Sequence, residues 1–215
     1  MVNIQKYNNI IQELNATHTT LVAVSKIKPA ADVQSMYNLG QRDFGENYVQ
    51  ELVEKQAILP HDIHWHFIGH LQSNKVKYIA PFIHLIQSVD SEKLLKEIDK
   101  QAAKNNRKIH VLLQVHIAEE QTKFGFNEAE LSALDVTIFE NVNIVGLMGM
   151  ATFTDDKAKV KTEFEHLKNL YANFEKEKNI MLNTLSMGMS DDYELAIECG
   201  SNMIRIGSLL FGLRN

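Results

Sequence analysis

The fold is clearest in residues 84–104, whose sequence is HLIQSVDSEKLLKEIDKQAAK. His84–Val89 is a short apolar run of strand length, and Ser91 stands where the N-cap of a helix is expected. The helix predicted over Glu92–Lys104 has apolar residues at helical spacing, namely Leu94, Leu95, Ile98 and Ala102. This stretch therefore predicts one buried strand followed by one amphipathic helix.

The same alternation extends in both directions along the chain. The other predicted strands are Thr19–Ser25, Asp43–Asn47, Ile63–Gly69, Ile109–Ile117, Val142–Met150, Thr184–Met189 and Met203–Phe211. The other predicted helices are Pro29–Leu39, Tyr48–Ala57, Ser73–Ile79, Glu128–Leu134, Asp156–Lys178 and Tyr193–Glu198, with an extra helix over residues 1–16. Eight strands alternating with helices predict parallel pairing and closure into a (β/α)₈ TIM barrel. A doubly wound open sheet is the alternative, but it usually has fewer strands and a glycine-rich dinucleotide loop, which this sequence lacks.

Composition narrows the class of protein further. The chain has 215 residues, a net charge of −5 and one cysteine, Cys199, so it predicts neither an intramolecular disulfide nor a cysteine-based zinc cluster. An acidic chain without a long apolar run indicates neither a nucleic-acid partner nor a membrane span. We therefore expect a single cytoplasmic domain over residues 1–215.

Functional residues of such barrels follow the carboxyl ends of the strands. Those positions hold Lys26, Glu46-Asn47, His66 to His70, Lys123, Met148–Met150, Ser186–Ser190 and Arg205 to Ser208. Lys26 ends the apolar run of the first strand, where desolvation would lower its pKa and make the amine nucleophilic toward aldehydes. The alternative for this residue alone is an ordinary surface lysine.

Hydroxyl and glycine residues follow the seventh and eighth strands. Ser186–Asp192 and Ile204–Ser208 offer hydroxyls and backbone N–H groups to a phosphate, although serine and glycine are also routine turn residues. Phosphate sites of barrels are often formed after these two strands. A reactive lysine facing a phosphate site indicates pyridoxal phosphate (PLP), which needs both.

Histidines near the third strand allow a metal site as a competing interpretation. His61, His64, His66 and His70 lie close together in sequence, and His64 and His66 point to one face of a strand. The stretch contributes few carboxylates, so hydrogen-bonding or core-edge roles are favoured and no metal is predicted.

Six blocks in order carry a resemblance to a known family. They are Ala23–Lys26 with Lys28-Pro29, Phe44–Glu51, Trp65–Lys75, Gly146–Met150, Leu185–Asp192 and Arg205–Ser208. The sequence resembles the YggS/PROSC family of PLP-binding proteins, also called pyridoxal phosphate homeostasis proteins. The resemblance implies a barrel similar to the N-terminal domain of alanine racemase.

The resemblance also implies roles for individual residues. Lys26 would hold PLP as an aldimine, and Arg205 would face the pyridine nitrogen. Ser186, Ser190, Gly207 and Ser208 match the phosphate ligands. Asn47 and the stretch from His66 to Gly69 would line the ring, with Met148 as further pocket lining.

Arg205 bears on what the bound cofactor would do. A permanently charged arginine disfavours protonation of the pyridine nitrogen and weakens the ring as an electron sink. We therefore expect a monomeric carrier without catalytic residues, which holds PLP and supplies it to PLP-dependent apoenzymes. A low-activity amino-acid racemase is the alternative. The racemase family draws one base from a C-terminal domain for which 215 residues leave no room.

Overall fold

Strands and helices alternate along the chain in the computed structural model, which describes residues 2–118 and 124–212. The strands are β1 Thr20–Val24, β2 Asp43–Glu46, β3 His64–Phe67, β4 Leu85–Val89, β5 Ile109–Gln114, β6 Val142–Met148, β7 Thr184–Ser186 and β8 Met203–Ile206. The helices are α1 Ile4–Thr17, α2 Ala30–Asn38, α3 Val49–Ile58, α4 Val76–Ile79, α5 Glu92–Lys104, α6 Glu128–Ala133, α7 Lys157–Lys178, α8 Tyr193–Glu198 and α9 Ser208–Phe211. Short 3₁₀ turns cover Ser73–Lys75 and Val136–Ile138. Among the described helices, none combines the length and the apolar character needed to cross a bilayer.

The strands form a closed barrel in the order β1 to β8, and every neighbouring pair is parallel. The last strand returns to the first, with Ala23 of β1 opposite Ile206 of β8. Because all strands run the same way, their carboxyl ends meet at one mouth of the barrel and their amino ends at the other. The predicted TIM-barrel fold is confirmed.

Two apolar layers stabilise the barrel. One lies between the strands and the surrounding helices, where the buried faces of α5 and α7 contribute Leu95 and Phe164. The second fills the interior with residues from β1, β4, β5, β6 and β8: Val22, Leu85, Leu112, Val145, Met148 and Met203. The interior is therefore packed, as in other barrels of this kind.

Helix α5 shows why the helix pattern was predictable from sequence. Its bounds coincide with the prediction, and the Ser91 side chain caps it by accepting a hydrogen bond from the backbone N–H of Leu94. The long helix α7 is capped in the same way by Asp156. Both helices combine a capping side chain with a buried apolar stripe.

The strands are shorter than predicted: β1 and β3 at both ends, β4 by one residue at its amino end, and β2 and β5 to β8 at the carboxyl end. β5, β6 and β7 end at Gln114, Met148 and Ser186, whereas apolar residues beyond these ends, such as Met187, are still buried. The apolar pattern therefore continues past the strands, which is why it predicts longer ones. The prediction of a last strand over Met203–Phe211 is wrong in its second half. The chain turns at Gly207 and forms α9, which buries Leu210 and Phe211.

Candidate cofactor site

Lys26 lies just past β1 and is half-buried, with both neighbouring residues held in place. The hydroxyl of Ser25 donates to Glu46 Oε1 over 2.6 Å, and the carbonyl of Ser25 accepts from Lys55 Nζ over 2.7 Å. On the other side, the backbone N–H of Ile27 donates to Glu51 Oε1 over 2.7 Å. The backbone that carries Lys26 is therefore fixed from both directions.

Ile27 has a left-handed backbone, with φ of 61°. A β-branched residue in this conformation is strained, at a cost of about 1–3 kcal/mol. Its side chain is 59% exposed, so packing of that side chain contributes little to holding it there. The hydrogen bond from the Ile27 backbone N–H to Glu51 stabilises this strained conformation, directly beside Lys26.

A buried ion pair supports this segment from behind. Lys55 Nζ lies 2.6 Å from Glu46 Oε1 and 2.7 Å from Glu51 Oε1. Glu46 is fully buried, and this burial raises the pKa of its carboxyl above the ordinary value although the charge of Lys55 opposes the shift. Sequence reasoning missed Lys55, whose only sequence signal is its position four residues after Glu51 on α3.

Asn47 and Gly69 meet where β2 and β3 end. A Cβ atom on Gly69 would lie 2.4 Å from the carbonyl oxygen of Asn47, so only glycine allows this approach. Within the described part of the chain, Asn47 Oδ1 is buried without a hydrogen-bond partner. Buried polar atoms are rarely left unpaired, so this oxygen is available to a ligand.

The turn after β8 approaches the end of β1 closely. A Cβ atom on Gly207 would lie 3.3 Å from the carbonyl oxygen of Val24, two residues before Lys26. Ser208 opens α9, and the first backbone N–H groups of a helix have no partner inside it. The structure thus brings Gly207 and Ser208 close to the segment that carries Lys26.

The turn after β7 is shaped by Gly188, which has a φ of 97° and lies close to α8. Its carbonyl accepts from the backbone N–H of Arg205, which joins the turn after β7 to strand β8. Ser190 is half-buried and lines a cleft of about 540 Å³ between this turn and the β6–α7 loop. The Asp192 carboxylate accepts from the backbone N–H of Met189 and braces the turn.

Arg205 is a buried cation, with 4% of its surface exposed. Its Nη1 donates to Ser186 Oγ over 2.6 Å, and its Nη2 donates to the carbonyl of Gly149 over 2.9 Å. Burial lowers the pKa of Arg205 to about 10, opposed by the charge of Asp192, so the guanidinium is still charged at neutral pH. It forms no salt bridge with any residue that the structure describes.

A chain of side chains, the interior relay, runs from Arg205 through the barrel: Ser186, Gln87, His66 and Asp43. Ser186 Oγ donates to Gln87 Oε1 over 2.7 Å, and Gln87 Nε2 donates to His66 Nδ1 over 2.9 Å. His66 Nε2 then lies 3.0 Å from Asp43 Oδ1, at the start of β2. The relay therefore connects the two mouths of the barrel.

The interior relay contains two of the residues predicted for the cofactor site. Ser186 was expected to bind phosphate, but it is fully buried and its hydroxyl already bonds Arg205 and Gln87. His66 was expected beside the cofactor ring, but its imidazole points toward Asp43 at the other end of the barrel. Met148 likewise lies in the interior cluster. Sequence reasoning had no signal for Gln87, since strand periodicity alone does not distinguish its role.

The remaining candidates are separated. His70 bonds Asp90 over 2.8 Å and stacks on Phe124, whereas His64 bonds Asp43. His70 is therefore separate from His64 and His66, which share Asp43, and Lys123 lies outside the described residues.

The fold and this mouth define a class, the barrel of the alanine racemase N-terminal type. The model of the family described as "Alanine racemase, N-terminal domain" matches residues 3–215. A protein from Aquifex aeolicus is 42% identical over 197 residues, covering 90% of this chain and 86% of its own, and is named pyridoxal phosphate homeostasis protein. A protein of the same name from Schizosaccharomyces pombe is 37% identical and covers 96% of this chain and 89% of its own. The chain belongs to the pyridoxal phosphate homeostasis protein family, as its motifs predicted.

Solved structures agree with this assignment. The structure of PipY from Synechococcus elongatus with PLP bound has a TM-score of 0.89 and 36% identity, and covers 97% of this chain and 99% of its own. Alanine racemase from Bartonella henselae has a TM-score of 0.72 at 17% identity, and the match covers 97% of this chain and 59% of the racemase chain. The racemase therefore shares the fold, while PipY matches along nearly its whole length.

Proposed function

We propose that this protein binds PLP covalently through Lys26 at the C-terminal mouth and serves to buffer and supply it inside the cell. The observation that carries the proposal is the fixed position of Lys26 beside the Gly207-Ser208 turn. The names of the relatives and the PLP-bound structure of PipY support it.

The residues of this mouth fit PLP in kind and number. An aldehyde needs an amine, which Lys26 offers, and a phosphate needs N–H and hydroxyl donors, which Gly207, Ser208 and Ser190 offer. Asn47 Oδ1, buried without a partner in the described chain, supplies a polar atom for a ligand to satisfy. These groups surround the mouth from β1, β2, β7 and β8.

PLP, when bound, would supply an aldehyde, and the Lys26 amine would be the nucleophile that holds it. The Glu46–Lys55–Glu51 network holds the backbone of Lys26 in place. Lys55 itself is engaged by two carboxylates and the carbonyl of Ser25, and we therefore assign it a supporting role.

Arg205 favours a carrier over an efficient catalyst. It is buried, charged and paired only with neutral oxygens among the described residues. A guanidinium facing a pyridine nitrogen disfavours a proton there, and an unprotonated ring withdraws electrons weakly. Low racemase activity is the alternative, and exchange of the α-proton in a panel of D- and L-amino acids tests it. Rapid exchange by the holoprotein would replace the carrier proposal with an enzymatic one.

Covalent binding is tested by comparing Lys26→Ala with Lys28→Ala, a matched change two residues away. The wild type and Lys28→Ala should show the yellow absorption of PLP bound to lysine, and Lys26→Ala should lose it while keeping its circular dichroism. Borohydride reduction followed by peptide mass spectrometry should locate the cofactor on Lys26. Reduction that labels another lysine, or an unchanged band in Lys26→Ala, would refute the assignment.

Phosphate binding and delivery are tested separately. Ser208→Ala should release PLP faster during dialysis, because one hydroxyl donor is lost, while the covalent band stays available. Delivery is measured as activation of a PLP-dependent apoenzyme by the holoprotein while a phosphatase destroys free PLP. Light scattering of the same sample should give the mass of a monomer. Activation that disappears with the phosphatase would contradict direct supply.

A further inference from the structure

The N-terminal mouth holds a group of imidazoles around one carboxylate. We call this group the N-terminal cluster, and its members are Asp43, His64, His66, His84 and His110. Asp43 Oδ1 lies 3.0 Å from His66 Nε2 and 3.3 Å from His64 Nδ1. His84 completes the centre, because its ring centroid is 5.6 Å from that of His66 and 4.4 Å from that of His64.

Three members of the N-terminal cluster converge on one point. Asp43, His66 and His84 each offer a donor atom, and these atoms all lie within 4.8 Å of one another. Neighbouring ligands of a tetrahedral zinc ion, bound at about 2.0–2.2 Å, are roughly 3.3–3.6 Å apart. The Asp43–His66 pair is already near that separation, so small side-chain rotations of the exposed His84 would complete the set.

We propose that Asp43, His66 and His84 bind one divalent transition-metal ion, with zinc as the probe of choice. One carboxylate oxygen and two imidazole nitrogens form a donor set that suits zinc, cobalt or nickel. Three protein ligands leave the fourth position to water. His64 stacks on His84 at an interplanar angle of 17° and so limits the orientations of that ring.

The strands hold the donor atoms in place before any ion binds. Asp43, His66 and the residue after His84 lie on adjacent strands β2, β3 and β4, with Asp43 opposite His64 and His66 opposite Leu85. His66 is 1% exposed, and its other nitrogen is bonded to Gln87. A histidine ligand usually donates its second ring N–H to an outer partner, and Gln87 can accept from Nδ1 once its amide is turned so that the oxygen faces His66.

Two of the three donor groups, His84 and Asp43, are in their ligand forms at neutral pH. Burial and the nearby charges of His66 and His64 lower the pKa of His84 to about 4, so its imidazole is neutral. Burial opposes ionisation of Asp43, but the hydrogen bond and charge of His66, with those of His64, outweigh it and lower its pKa. Neither of these two groups therefore has to lose a proton to bind a cation, whereas the ring proton of His66 has to move from Nε2 to Nδ1.

The test uses full-length, tag-free protein treated with chelator and then titrated with zinc by calorimetry. The expected result is one ion per chain. Binding should weaken at least about tenfold in His84→Ala and in Asp43→Asn. His61→Ala is the matched control, since His61 is exposed and lies outside the N-terminal cluster, and it should bind zinc like the wild type.

Two outcomes would overturn the proposal. The first is the absence of stoichiometric zinc binding by the wild type. The second is an equal loss of binding in His61→Ala and His84→Ala, which would indicate scattered surface histidines. Cobalt titration gives an independent measurement, because a tetrahedral site with imidazole ligands gives intense visible absorption that should disappear in His84→Ala. Circular dichroism of each variant checks that a loss of binding is not a loss of fold.

Discussion

The two mouths of the barrel differ in the kind of backbone that carries their polar side chains. At the C-terminal mouth, loops carry the functional groups, and the backbone is bent into left-handed conformations at Ile27 and Gly188. At the N-terminal mouth, the groups of the N-terminal cluster stand on or directly beside strands, with ordinary strand geometry. TIM barrels usually place function at the first mouth and stability at the second. Here the second mouth also carries groups with the chemistry of a binding site.

The interior relay makes this comparison testable. A change confined to the C-terminal mouth should affect PLP retention alone, and one confined to the N-terminal mouth should affect zinc binding alone. A change in the middle of the relay should affect both. The variants below follow this logic, from the largest expected effect to the smallest.

Lys55→Met should have the largest effect, because it leaves the fully buried Glu46 without its cation. Removing one partner of a buried ion pair costs about 3–5 kcal/mol of unfolding free energy. Lys96→Met is the matched control: it breaks an i,i+4 pair with Glu92 that is 60% and 49% exposed, and should cost less than about 1 kcal/mol. Urea denaturation measures both, and PLP retention should fall only in Lys55→Met.

The pH dependence of the same variant follows from the raised pKa of Glu46. A carboxyl whose pKa is raised in the folded state keeps its proton there at a pH where the unfolded chain has lost it. Stability therefore falls as pH rises through the ordinary glutamate pKa toward the folded value. The deficit of Lys55→Met should be larger at neutral pH than in mild acid, and an equal deficit at both would contradict the buried-charge explanation.

Gly69→Ala should come second. The added Cβ would lie 2.4 Å from the Asn47 carbonyl oxygen, so the end of β3 must shift, at a cost of about 1–3 kcal/mol. PLP should dissociate faster, while the zinc affinity stays unchanged. Gly40→Ala is the control for strain away from the mouth: its new atom meets nothing within 4 Å, but a φ of 102° disfavours any L residue, so it should lose stability while keeping PLP. Equal PLP retention in both variants would remove Asn47 and Gly69 from the site.

Gln87→Leu should have the smallest effect on stability and the broadest effect on function. It removes the partner of His66 and one partner of Ser186, which costs about 1–2 kcal/mol because Ser186 keeps Arg205. Zinc affinity should fall about tenfold through the lost outer support, and the PLP absorption band should shift. Gln101→Leu, a glutamine of α5 bonded to Glu97, should change neither. A change at only one mouth would show that the relay does not couple them.

The two mouths also differ in how far sequence predicts them. The motifs around Lys26, Gly188 and Gly207 are contiguous and lie at or near the carboxyl ends of the first, seventh and eighth strands, so strand counting predicts that they share one mouth, although β7 and β8 end earlier than predicted. The members of the N-terminal cluster lie on β2, β3 and β5 and directly before β4, and its carboxylate, Asp43, lies 23 positions before His66. Sequence reasoning looked for carboxylates near the third strand and missed the one that β2 contributes. Asp43 comes close to these histidines because β2 pairs with β3 in a register that places Asp43 opposite His64.

The positions of Ser186 and His66 could not be predicted for a related reason. Strand periodicity gives the face of a side chain but not the level inside a barrel at which its polar atom finds a partner. Both residues face inward and form hydrogen bonds with Gln87 inside the barrel. Nothing in the sequence indicates that Gln87 has this role.

The amide of Gln87 gives the interior relay a direction. As it stands, the amide nitrogen points to His66 and the amide oxygen to Ser186, so each bond has one donor and one acceptor. A metal on His66 Nε2 would move the ring proton to Nδ1, and only the amide oxygen can accept it there. Gln87 would then have to turn over and donate to Ser186, whose own proton would need a new acceptor beside Arg205. Binding of a cation at one end of the barrel would thereby reverse the Ser186–Gln87 hydrogen bond at the other end, with no movement of the backbone.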